Sequence, residues 1–216
     1  MVTNVIVMSV HQPARRPGRP KGGDAVATRE HALRVAFELI SAQGYRGTSM
    51  AQIALVAGLS QTGLLHHFGS KDTLLAAILE RRDAIDDELI GQPAGDGPWG
   101  QLEQFGQLVR ANMERAQLVR LFVTVTAEAI EEAHPAHDWM QRHYSAARAN
   151  ITRDLERGLA AGWLLPDAPI NHIASGVIAV VDGLQTQWML DPEFDMGAAF
   201  EMHLDMLKSQ WGTQLS

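Results

Sequence analysis

Ser60, Gln61 and Thr62 put a hydroxyl, a carboxamide and a second hydroxyl at three consecutive positions just after a turn glycine. A carboxamide carries a donor and an acceptor side by side, as an adenine edge does, and a threonine methyl can touch a thymine methyl. Gly63 follows and lets a backbone come close. Thr48, His67 and Lys71, with His66 beside them, offer donors to phosphate, and Lys71 stands at a helix start whose N–H groups favour anions. This is recognition chemistry rather than bond breaking. The chain has no phosphate-binding glycine loop, no G-x-S-x-G and no paired-carboxylate signature, so it gives little support to an enzyme. His134, His137 and His143 with Glu131 and Glu132 raise a metal site, but the first two flank Pro135 and lack the i, i+4 spacing of helical zinc pairs. Without cysteine there is no thiolate site either, and neither metal nor cofactor is expected.

Two short helices must position these groups. Met50, Ile53, Ala54 and Ala57 form one apolar stripe, and Thr48 or Ser49 can cap it. Gly58 permits a left-handed turn, Leu59 plugs the corner, and Ser60 caps a second helix with Leu64 and Phe68 on one face. Small Ala54 lets the two backbones cross closely. These intervals suit a helix-turn-helix whose second helix enters the major groove of DNA, leading residues deepest. An ordinary corner between two packed helices would use the same apolar residues.

Residues from about 28 to 85 resemble the N-terminal domain of TetR-family transcriptional regulators. The resemblance is carried by the helix over 28–40, then Gly44 and Tyr45, Thr48 to Met50, Ile53 and Ala54, Ala57 to Ser60, His67 and Phe68, and Ser70 and Lys71. Further on, Gly162 to Leu164 with Pro166, Val181 to Gln185, and Trp188 to Pro192 look like the C-terminal domain of the branch that includes the choline-responsive repressors. The resemblance implies a cytoplasmic regulator, usually a repressor, that leaves a palindromic operator when a small molecule binds. Leu65 stands where the family usually has an aromatic residue, most often tyrosine, so one phosphate contact is expected to be lost.

The formal charge of −7 is unevenly spread. Residues 1–82 hold ten Lys/Arg against five Asp/Glu; residues 83–216 hold eight against twenty. An acidic body repels a polyanion, so the basic end is the expected docking face. Residues 1–23 read as a flexible basic arm, in which Arg16 and Arg19 flank a Pro-Gly pair that partly resembles a minor-groove hook. Pro17 replaces the arginine normally found before that glycine, and a solvated tail is an equal reading. The opening residues make a poor signal peptide, translation at Met8 is an alternative start, and no apolar run reaches the ~20 residues of a membrane span.

Breaks in pattern predict an all-α chain of about nine helices. A DNA-binding unit covers 24–82, and a ligand-binding and dimerisation unit covers 83–216. The first helix should run from 24 or 25 to 42 with Gly44 ending it, and the fourth from 70 to about 90. Others fall near 99–116, 118–133, 136–162, 170–190 and 195–211. Core packing is the ordinary reading of Phe105, Met113, Phe122, Trp139, Tyr144 and Trp163. Together with Thr126 and His143 they also suit an apolar pocket holding a small-molecule effector. The last two helices look apolar on more than one face, which favours a homodimer. Val177, Val181, Leu184, Trp188, Phe200, Leu204 and Leu207 are the expected interface. A helical ligand-binding or interaction protein without operator binding is the second reading.

Overall fold

The computed structural model describes residues 22–90, 97 and 99–213. Nine helices follow one another among these residues: α1 (Gly22–Gly47), α2 (Met50–Val56), α3 (Gln61–Phe68), α4 (Lys71–Ile90), α5 (Gly100–Met113), α6 (Ala116–Glu128), α7 (His137–Ala160), α8 (Ile170–Leu190) and α9 (Met196–Trp211). No strand occurs among the described residues; Leu164 and Gly212 form an isolated bridge. The expected first helix starts two residues early, at Gly22. Arg16 and Arg19 of the expected arm lie outside the described residues.

Local chemistry explains the breaks in the N-terminal half. Helical geometry fails inside α1 at Gly44, with φ 77° and ψ 169°, a region that side chains essentially exclude. The Ser49 hydroxyl accepts the Gln52 N–H at 3.1 Å and starts α2. Gly58, at φ 67°, reverses the chain, and the Leu59 N–H closes on the Ala54 carbonyl at 2.8 Å. The Ser60 hydroxyl accepts the Gly63 N–H at 3.0 Å. Ser70 caps α4 in the same way through the Thr73 N–H.

Two apolar clusters hold the fold together. The first joins Leu33, Ala36 and Ile40 of α1, Ile53 and Ala54 of α2, Leu64 and Phe68 of α3, and Leu74, Leu75, Ile78 and Leu79 of α4 to Leu121, Phe122 and Val125 of α6. The second joins α5, α7, α8 and α9 through Leu102, Val109, Ile151, Leu155, Val177, Val181, Trp188, Phe200 and Leu204. The boundary expected at 82/83 therefore falls within a single helix, α4, and α6 packs with the N-terminal group.

The expected dimer stripe is corrected by this packing. Val177, Val181, Trp188, Phe200 and Leu204 are buried within the protomer, and Leu184 and Leu207 pack half-buried against the same cluster. Most of the large apolar residues of α8 and α9 are taken up by the protomer's own core, Leu190 at the end of α8 being 83% exposed. The outward faces hold smaller or more flexible side chains: Gly176, Ala179 and Gly183 on α8, and Met202 and Met206, 63% and 60% exposed, on α9.

Candidate DNA interface and effector cavity

The short α3 divides sharply between two faces. Leu64 is 0% exposed and Phe68 5%, and the Arg29 guanidinium lies over the Phe68 ring, 4.8 Å from its centroid. Ser60, Gln61, Thr62, Leu65 and His66 are exposed, while Gly63 and His67 are half-buried. A Cβ at Gly63 would lie 3.1 Å from the Ser60 hydroxyl oxygen, so the glycine makes room for the cap whatever else approaches it. Leu65 occupies the open face, where its side chain can offer only apolar contact.

Two expected phosphate donors are differently engaged. Thr48 is 2% exposed, and its hydroxyl donates to the Gly44 carbonyl at 2.9 Å. It closes the corner after α1, and a surface role for its side chain is corrected: a threonine four residues after a freed carbonyl satisfies that carbonyl first. Lys71 is half-buried with its ammonium 3.8 Å from the Tyr45 ring centroid. Burial lowers its pKa, with Glu128 and Asp72 opposing the shift.

Tyr45 is the centre of a joint that the sequence reading missed. Its N–H donates to Glu128 at the end of α6 at 2.8 Å, the Arg46 N–H reaches the same carboxylate at 3.4 Å, and its hydroxyl donates to Asp72 on α4. His134, buried behind it, sets its ring edge-on to Tyr45 with its Nε2 3.5 Å from Glu128. Glu128 lies more than 80 residues from Tyr45 and Arg46, and Asp72 lies 27 from Tyr45, all beyond the range of any periodicity. Gly44 sits against the Glu128 carboxylate, and a Cβ there would overlap it. Gly44→Ala is expected to cost about 1–3 kcal/mol, mostly backbone strain, and to lower Tm by several degrees in thermal unfolding.

A cavity of about 1110 Å³ opens between α4, α5, α6, α7 and α8. Six of the eight expected pocket residues line it: Phe105, Phe122, Trp139, His143, Tyr144 and Trp163. Met113 and Thr126 do not. Met113 packs into the second cluster, and the Thr126 hydroxyl donates to the Met140 sulfur at 3.5 Å. The sequence reading missed most of the polar lining. Arg82 pairs with Asp83 at 3.2 Å and Asp86 at 3.0 Å, and its guanidinium lies 4.3 Å from the Phe122 centroid. The Tyr144 hydroxyl donates to Asp182 at 2.8 Å. One signal for the site was available, since Asp182 is the lone charged residue in α8.

Trp139 stacks on His143 at 5.0 Å between centroids, with planes 12° apart. Burial, then the nearby Arg82 charge, pushes the His143 pKa down to about 4 from 6.5. The folded chain thus keeps this ring neutral where the unfolded chain protonates it. Its contribution is fully present above pH 6.5 and is lost as pH falls from 6.5 toward 4, by up to about 1.4 kcal/mol per unit. Buried His134 is shifted in the same direction. Urea unfolding at pH 7.5 and 5.5 should show the lower stability at 5.5, with a smaller difference in His143→Gln.

His134 and His137 serve the α6–α7 junction, where the Ala136 N–H donates to His134 Nδ1 and His137 Nδ1 lies 2.8 Å from the Ala129 carbonyl. Among the described residues no group of three or more His, Asp or Glu could hold a metal ion, and no helix is long and apolar enough to cross a membrane.

A glycine-turned helix pair with a polar leading edge, joined to a helical body that holds a cavity, defines a helix-turn-helix regulator of transcription. Residues 32–78 match the family described as bacterial regulatory proteins, tetR family, and residues 102–212 match the C-terminal domain of BetI-type transcriptional repressors. The HTH-type transcriptional regulator BetI of Stenotrophomonas maltophilia is 30% identical over 173 residues, 76% of this chain and 83% of that protein. The regulator RutR of Escherichia coli is 34% identical over 167 residues, 75% and 70% of the two chains. Among solved structures, NalD, the secondary repressor of the MexAB-OprM efflux pump of Pseudomonas aeruginosa, superposes with a TM-score of 0.73 at 20% identity, covering 89% of this chain and 99% of that one. A SmeT–triclosan complex gives 0.70 at 21% identity, with 88% and 93% covered. These two likenesses concern the fold. The chain belongs to the TetR family of bacterial transcriptional regulators and carries a BetI-type C-terminal domain. It is a regulator, not an enzyme.

Proposed function

We propose that the protein binds a palindromic operator as a homodimer and releases it when a small molecule enters the cavity. The observation that carries this reading is the two-faced α3: Gln61 and Thr62 are exposed at its leading end while Leu64 and Phe68 anchor its back. In this reading Ser60, Gln61, Thr62 and Gly63 face base edges, while His66, His67 and Lys71 lie toward phosphates. The outward faces of α8 and α9, with Gly176, Ala179, Gly183, Met202 and Met206, supply the two-fold contact in place of the stripe buried in the core.

The effector has two routes to the DNA end. Arg82, Asp83 and Asp86 put α4 in the cavity wall, and the same helix begins at Lys71 behind the recognition helix. Phe122 puts α6 in the wall, and that helix ends at Glu128 on the joint with Tyr45. A ligand favours release only by binding one arrangement of these helices better than the other.

Selection from random DNA with the purified protein tests the reading, with an inverted repeat as the expected product. Recovery of no preferred sequence, or of an asymmetric one, would overturn it. Lys71→Ala should weaken binding to all sequences alike and reduce the salt slope by about 1, measured by anisotropy titration at several salt concentrations. An unchanged slope would mean that the ammonium stays on the Tyr45 ring when DNA is bound.

A further inference from the structure

We propose that the cavity is built for an organic cation that donates hydrogen bonds, a protonated amine on an apolar body, with its ammonium held between Asp182 and Gln185. The proposal rests on the cavity being the effector site and names the class of molecule that fits it.

Charge balance is the first argument: four acidic residues line the cavity, Asp83, Asp86, Asp154 and Asp182, against Arg82, Arg142 and Arg157, with Asp154 paired to Arg157. Asp83 and Asp86 face Arg82, and the Arg115 guanidinium also approaches Asp86 at 3.5 Å. His143 is neutral at pH 7 and adds no positive charge. Asp182 receives the Tyr144 hydroxyl, an uncharged donor, and makes no ion pair with any described residue. Arg82 makes its ion pairs with Asp83 and Asp86 and lies over the Phe122 ring, so its charge is felt at Asp182 without an ion pair to it. Burial raises the Asp182 pKa, with the Tyr144 hydrogen bond and then the Arg82 charge opposing the shift without cancelling it. A positively charged ligand group would remove that penalty.

The second argument is independent of charge. Gln185 lies three residues beyond Asp182, on the same face of α8. It lines the cavity at 4% exposure, and its side-chain oxygen has no hydrogen-bond partner. A buried amide oxygen left this way lacks a donor. The two observations select different properties of one group. A quaternary ammonium has the charge but no N–H, an alcohol has the hydrogen but no charge, and a carboxylate has neither. A protonated amine has both. The rings of Trp139, Phe105 and Trp163 give part of the remaining wall surface suited to an apolar body.

Calorimetric titration of the full-length protein with four probes that share one ring tests the proposal: naphthylethylamine, its N-trimethyl quaternary analogue, naphthylethanol and naphthylacetate. The amine should bind most tightly, with the quaternary analogue and the alcohol each about tenfold or more weaker and the acetate weakest. Asp182→Asn should lower affinity for both cations and spare the alcohol. Gln185→Leu should weaken the amine and the alcohol and spare the quaternary analogue. If either variant fails to fold, the order of the four probes on the unaltered chain decides alone. Acetate binding as tightly as the amine, a quaternary analogue equal to the amine, or failure of every probe overturns the proposal. Nile red, a neutral dye, reports the cavity itself. Dye fluorescence that rises with the unaltered protein but not with Ala147→Trp, while amines fail to bind, would overturn the cation assignment and leave the effector-site reading intact. Absence of any dye response would remove both.

Discussion

If the protein binds as the proposed homodimer, Gln61→Ala should weaken binding to its selected operator by about 2–6 kcal/mol while its affinity for unrelated DNA stays the same. A well-placed side-chain pair to one base is worth about 1–3 kcal/mol, and two-fold symmetry applies the loss at both half-sites. The amide carries no charge, so the salt slope should not change; counterion release follows the number of phosphates neutralised. Gln61 is exposed and outside the core, so the variant should melt with the parent protein. Anisotropy titrations on operator and scrambled duplexes at two salt concentrations give all three quantities. An equal loss on both duplexes would place Gln61 among the general contacts rather than the reading ones.

Glu128→Ala should have the largest effect on stability, about 2–4 kcal/mol, by leaving the Tyr45 and Arg46 N–H groups without their charged acceptor. Denaturant unfolding measures this directly. The same variant tests communication between the ends of the molecule, because Glu128 is where α6 grips the last residues of α1, beyond its break at Gly44. With that grip gone, an effector should still bind the cavity but should change DNA affinity less. Glu128→Gln keeps an acceptor and should recover part of both losses. If the alanine variant responds to effector as fully as the parent, α6 does not carry the signal and α4 alone must do so.

Most of the scaffold was legible because it is written locally. Gly58 and the Ser60 cap define the turn, and Leu64 with Phe68 fixes the orientation of α3; each signal spans fewer than ten residues. Position-by-position roles were harder to read. Thr48 looked like a surface donor, yet the break at Gly44 frees a carbonyl that its hydroxyl takes. The apolar stripe of α8 was real but faces inward, since periodicity shows that a helix has a buried side without showing which partner buries it. Asp182 was part of a resemblance while its meeting with Tyr144, 38 residues away, was invisible. Glu128 left no local trace, because its partners come from a helix more than 80 residues earlier.

In the proposed switch, the unbroken run of α4 would set the mechanical gain of the molecule. From Arg82 in the cavity wall to Lys71 is eleven residues of one helix, about 16 Å of stiff rod with no proline to act as a joint. A tilt of about 10° about the cavity end would carry the other end roughly 3 Å, and a mirrored motion in a second copy would double the change in span to roughly 6 Å. Successive turns of one groove lie about 34 Å apart, so this would throw one reading head out of step with its half-site. A crank of this length needs only a small push, and a flexible insert midway along it would absorb the stroke.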